Sequence, residues 1–131
     1  MPKPLRRSAI GIAPLDQALG GGLAQGCVHE FYAAEPEDAP ATAGLAVGLA
    51  LLTMTGGATM WLRSRRTLAQ GGVLQANGWA ELGGAPGACL FGVVADDKAL
   101  LRAGADALRC TALGGVVLES RGAMRDLDLT A

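Results

Sequence analysis

Short apolar runs alternate along the chain with longer segments of helical period. Residues 58–62 (ATMWL), 88–94 (ACLFGVV) and 115–119 (GVVLE) are brief, apolar and set off by glycines, which predicts strands. Residues 27–33 (CVHEFYA) have similar length and read as another strand, the first in sequence. A polar loop over 34–41 then leads into an Ala/Leu-rich helix over 42–54, with Thr42 as its cap. That helix is apolar nearly all round, so both its sides are expected to be buried. Behind Asp96, a second cap, Leu100, Ala103, Ala107, Leu108 and Ala112 recur at helical spacing. Lys98, Arg102, Asp106 and Arg109 take the wet face, which predicts a helix over 97–111. Shorter helices are expected over 14–19 and within 73–82, the latter with Trp79 and Leu82 inward. Strands alternating with helices mean βαβ units. The expected fold is a single α/β domain with a mostly parallel sheet of about four strands, flanked by helices on both faces. Residues 1–13 read as an N-terminal arm and 120–131 as a flexible polar tail.

Composition narrows the chemistry. Aromatic residues make up 4% of the chain, so the core must come mainly from Ala, Val, Leu and Ile. Eleven Lys and Arg against twelve Asp and Glu leave a net charge of −1, which excludes a global footprint for nucleic acid or an acidic membrane. Cys27, Cys89 and Cys110 are odd in number, far apart and set in apolar stretches. They read as buried free thiols of a reducing cytoplasm. With His29 the single histidine, no metal cluster and no cofactor are expected. Lys3, Arg6 and Arg7 are followed by Pro14, Asp16 and Gly20 to Gly22, which is no signal peptide. The uncharged stretch 39–55 is rich in Ala, Gly and Thr and reads as a core helix, not a membrane span.

The segment from Ile10 to Gly26 (IGIAPLDQALGGGLAQG) resembles the approach to the core of RecA-like ATPases. Val28-His29-Glu30, Trp61-Leu62-Arg63 and Leu127-Asp128-Leu129-Thr130-Ala131 resemble one branch of that superfamily, the ImuA accessory proteins of inducible mutagenesis. The resemblance implies a RecA-like sheet. It also implies a role beside a Y-family polymerase-like protein, an error-prone replicative-type polymerase and RecA in translesion synthesis. In that family the closing Leu-Asp-Leu-Thr-Ala opens a further stretch of chain, so the sequence reads as a truncation or a fragment.

The resemblance also marks what the phosphate-binding loop lacks. A working loop has the form G-x-x-x-x-G-K-S/T: backbone N–H groups converge on phosphate, lysine neutralises it, and a hydroxyl holds magnesium. Here residues 33–44 (AAEPEDAPATAG) hold no lysine, and no Lys or Arg occurs from Ser8 to Leu62. Pro36 and Pro40 remove donors. Glu35, Glu37 and Asp38 put negative charge where phosphates would sit, leaving Thr42 and Gly44 as remnants of a degenerate P-loop. The position after the second strand of such ATPases, a glutamate, is occupied by Arg63-Ser64-Arg65-Arg66, and Glu119 stands where an aspartate would meet the metal's water shell. The chain is therefore expected not to be an enzyme. Arg63, Arg65 and Arg66 should lie at the carboxyl edge of the sheet and offer a weak, salt-sensitive anion contact, to DNA or to an acidic partner. His29 is expected to be satisfied within its strand, Asp96 and Asp97 to serve a helix N-terminus, and Trp61 and Trp79 to pack in the core.

The expected function is a non-catalytic adaptor of damage-induced mutagenesis. The alternatives are an SOS division inhibitor that binds the tubulin-like division protein, and a RecA-like NTPase. If later strands of the family fold are absent, a sheet edge or face stays open, and a two-fold homodimer through Val116, Val117, Leu118 and the flanking helix is expected.

Overall fold

The computed structural model describes residues 1–54, 56–72 and 75–122. Strand β3 (Ala58–Ser64) is the centre of a three-stranded parallel sheet, with β4 (Cys89–Val94) on one side and β5 (Leu113–Glu119) on the other. Each lies within two residues of its expected span. Parallel neighbours need crossovers. Helices α3 (Arg65–Gly71) and α4 (Ala76–Glu81) lie between β3 and β4, and α5 (Asp97–Ala107) lies between β4 and β5. The result is an α/β architecture with helices on both faces of the sheet.

Register assigns the faces. Trp61 lies beside Phe91 and Val117, and Arg63 lies beside Val93 and Glu119. On this face Val47 of helix α2 (Ala39–Thr53) and Trp79 of α4 pack against Trp61, with Ala43, Leu51, Cys89 and Val117 around them. The other face, with Leu62 and Leu118, is covered by α5. There Leu100 is fully buried, and Gly104 lets the helix approach so closely that a Cβ would strike the Leu118 side chain at 2.6 Å. Asp96 caps α5 as expected, its Oδ1 accepting the Ala99 N–H at 2.8 Å. The helix ends at Ala107, before the expected 111, because the chain must turn back to bring Ala112 O against Ala58 N at 3.3 Å.

The start of β5 is a bulge. Ala58 pairs with Leu113 and Thr59 with Gly115, leaving Gly114 as the extra residue. A Cβ on Gly114 would overlap the Gly56 carbonyl. Gly57, at φ +82°, would drive a Cβ to 2.7 Å from Gly114 N. Two glycine pairs thus mark the crossing of two backbones.

Several expectations are corrected. Among the described residues the sheet has three strands and not about four, because residues 27–33 form no strand, with Cys27 to Tyr32 exposed. The polar residues inside this run find local partners: His29 Nε2 lies 2.8 Å from Ala24 O, and the Tyr32 hydroxyl donates to Glu30 at 2.6 Å. Burial between two helical layers would strip both carboxylate and imidazole of water. The N-terminal arm is partly built into the fold. Strand β1 (Arg7–Ser8) pairs antiparallel with β2 (Leu23–Ala24), and Asp16 in helix α1 (Ala13–Ala18) accepts the N–H groups of Ile10 and Gly11.

Helix α2 starts at Ala39, not Thr42, since proline is well placed in a first turn and Pro40 sits there. Only one of its sides is covered. Leu45 and Leu52 are exposed because no described element covers that side of the helix. Leu82 is also exposed, the chain turning at Gly83 once α4 has placed Trp79. The tail expected over 120–131 falls largely on residues 123–131, which lie outside those described, as does the Leu127–Ala131 motif. Ser120 is fixed by donating to Asp97 at 3.1 Å. Among the described residues no helix is long and apolar enough to cross a membrane.

Cys27 and Cys110 are exposed, correcting the expectation of buried thiols, and only Cys89 is partly covered. Burial pushes the Cys89 thiol up. The thiolate is the reactive form, so at pH 8 a thiol reagent should modify the exposed Cys27 and Cys110 first and Cys89 more slowly. Equal rates for all three would contradict this packing. The sign for stability follows. The contribution of neutral Cys89 is present below the unfolded-state thiol pKa and is lost as pH rises through the higher folded value.

Candidate functional site

The carboxyl ends of β3 and β5 bring charge onto the aromatic face of the sheet. Successive strand residues alternate faces, so Arg63 follows Trp61, and Glu119 follows Val117, onto that side. Arg63 Nε lies 3.0 Å from Glu119 Oε2. The N–H is not directed at the oxygen, so the contact is Coulombic and the nitrogen has no hydrogen-bond acceptor among the described residues. Arg63 is held instead by NH1, which donates to Gly72 O at 2.6 Å. Trp61 Nε1 donates to Glu119 Oε2 at 3.1 Å. Arg121, just past β5, places its Nε 4.0 Å from Glu119 Oε1, and that nitrogen too is buried without an acceptor. The side chains of Arg63, Glu119 and Arg121 are only 4%, 12% and 16% exposed. Among the described residues two guanidinium groups therefore share one carboxylate, leaving one positive charge in excess where water screens it poorly.

Gly71, the last residue of α3, makes the convergence possible. A Cβ there would stand 2.7 Å from an NH2 nitrogen of both Arg63 and Arg121. Aromatic rings form the adjoining wall. Trp61 and Phe91 are tilted at 41° with centroids 5.8 Å apart, and Trp79 meets Phe91 edge-on at 6.4 Å. Trp79 is oriented by its Nε1, which donates to Ala85 O at 2.9 Å. These groups, with Pro40, Ala43 and Gly44 from α2 and Leu82 beyond α4, line a cavity of about 230 Å³.

The sequence-predicted arginine cluster does not assemble. The strand continues through Ser64, whose Oγ accepts the Thr67 N–H at 3.2 Å and so caps α3. The change from strand to helix sends Arg63 inward and Arg65 and Arg66 outward. Arg65 is exposed, and Arg66 donates to Asp97 Oδ2 at 2.8 Å. Asp97 thus ties α3 and Ser120 to α5, and no metal-binding cluster of acidic, His or Cys residues is present among the described residues. Trp61 and Trp79 are core residues as expected, and they also face the cavity.

The loop read as a degenerate P-loop closes into helix. Glu35 precedes a 3₁₀ turn over Pro36–Asp38 that contains Glu37 and runs on into α2. The Thr42 hydroxyl donates to Asp38 O at 2.9 Å from within the first turn of α2, so it is no cap. Glu37 and Asp38 complement the positive end of α2, the place an anion would otherwise take. Of residues 33–44, Pro40, Ala43 and Gly44 reach the cavity.

Sequence reasoning missed the pairing of Arg63 with Glu119 and the part played by Arg121. The available signal was the repeated two-residue step: an apolar core residue and then a charge, Trp61 to Arg63 on one strand and Val117 to Glu119 on its neighbour. No protein-family model matches the chain, and neither a curated protein nor a solved structure shows significant similarity to it.

Proposed function

We propose that the chain is a catalytically silent accessory protein, RecA-like in fold, that acts by binding protein partners in damage-induced mutagenesis, as its resemblance to the ImuA proteins implies. The observation that supports the silent reading most is the build of residues 33–44: a 3₁₀ turn and a helix start carrying Glu35, Glu37 and Asp38, with prolines at two donor positions and no cation within the loop. Glu119, the one acid that could stand near a metal's water shell, is engaged by Arg63 and Trp61. Calorimetry with ATP and magnesium is expected to give no saturable binding. A micromolar dissociation constant overturns the proposal.

The accessory role calls for capture of a Y-family polymerase-like protein, an error-prone polymerase or RecA in a pull-down. Capture of the tubulin-like division protein alone selects the division-inhibitor reading instead. Exposed apolar side chains such as Leu45, Leu52 and Leu118 are available to a protein partner. Two-fold self-association along β5, an edge strand of the sheet, belongs to the same reading. Light scattering should show the mass rising with concentration, and a monomer at every concentration removes that part of it.

A further inference from the structure

We propose that the cavity between α2, α4 and the sheet is a binding site for a small monocarboxylate with an aromatic or branched apolar body. This stands on the geometry of the cavity and does not depend on the accessory reading. The first ground is charge. Arg63 and Arg121 face a single carboxylate, and both keep a buried Nε without an acceptor among the described residues. A guanidinium group removed from water is stable only when paired and hydrogen-bonded. Among the described residues the set is one negative charge short, and one monoanion supplies it. A phosphate dianion would overshoot neutrality beside Glu119.

Shape is the second ground. Both arginines line the cavity, and their terminal nitrogens come together against Gly71, which has no Cβ to hold them apart. Two converging forks suit the two oxygens of a planar carboxylate. The third ground is the adjoining wall: Trp61, Trp79 and Phe91, which favours a ring or a branched alkyl group over a sugar. A cavity of about 230 Å³ holds a body of one ring and a short chain.

The chain's two tryptophans both line the cavity, so intrinsic fluorescence reports its occupancy directly. The probes are 3-phenylpropionate, its uncharged amide, and inorganic phosphate, each titrated into the full chain. The acid is expected to change tryptophan emission saturably, the amide to bind at least about tenfold more weakly, and phosphate not to compete. Arg121→Gln is expected to abolish the preference for acid over amide. On the parent chain the acid should raise the melting temperature more than the amide at equal concentration, which decides the matter even where the variant does not fold. Equal affinity of acid and amide, no saturation by the acid, competition by phosphate, or a folded Arg121→Gln chain that keeps the preference would each overturn the proposal.

Discussion

Replacing Glu119 by Gln is expected to destabilise the domain by about 3–5 kcal/mol, the usual cost of removing one partner from a buried ion pair. The substitution keeps the volume and leaves an oxygen to accept the Trp61 N–H. What it removes is the charge that Arg63, 4% exposed, and Arg121, 16% exposed, both lean on. Because whole domains are stable by only about 5–15 kcal/mol, the variant should unfold at markedly lower urea concentration. The second half of the test is Arg63→Met in the same chain. An apolar side chain of similar length suits a site walled by Trp61 and Phe91, so the double variant should recover much of the loss. Urea midpoints for the four chains give the coupling directly. Additive effects would show that Glu119 and Arg63 do not act as a pair.

Gly114→Ala is the other change with a large expected effect. The added methyl has nowhere to go, since it would overlap the Gly56 carbonyl and meet the Met54 side chain at 2.8 Å. Overpacking of this kind costs about 1–3 kcal/mol and sometimes more. Here backbone, and not a flexible side chain, blocks the methyl, so about 3 kcal/mol and a fall in Tm of roughly 10 °C are expected. Gly87→Ala is the control, because a Cβ there meets nothing within 4 Å. If both substitutions lowered Tm equally, the bulge at the start of β5 would not be the cause.

The sheet was legible in the sequence where a run was both short and apolar. Residues 58–62, 88–94 and 115–119 all became parallel strands, the central one, β3, largely buried and its two neighbours half-covered, with Leu90, Phe91, Val93 and Leu118 exposed. The Asp96 cap was legible for a local reason: its carboxylate bonds an N–H three residues away. Residues 27–33 failed the same reading. Their length suited a strand, but His29 and Glu30 lie within the run, and the cost of desolvating them outweighs the gain from Val28 and Phe31. The site was the least legible part. Arg63, Arg65 and Arg66 are neighbours in sequence and suggested one patch, but the strand ends between them. Glu119 looked isolated because its partners sit on other segments, brought together only by the register of β3 with β5. Pairings of that kind belong to the tertiary structure.

Strand β3 stands between two strands that both follow it in the chain, and this sets the order in which a growing polypeptide can fold. When α2 and β3 leave the ribosome, neither β4 nor β5 yet exists, and the hydrogen bond from Trp61 waits for an acceptor 58 residues downstream. No stable half-domain is available along the way. The apolar helix α2 must remain in solution, its sheet-facing side uncovered as well as Leu45 and Leu52, until the last strand has been synthesised. Non-local parallel pairing of this sort is intrinsically slow, and the species that precedes it exposes sticky surface. Translation speed from β3 to β5, and the supply of a holding chaperone, would then govern how much native protein a cell obtains.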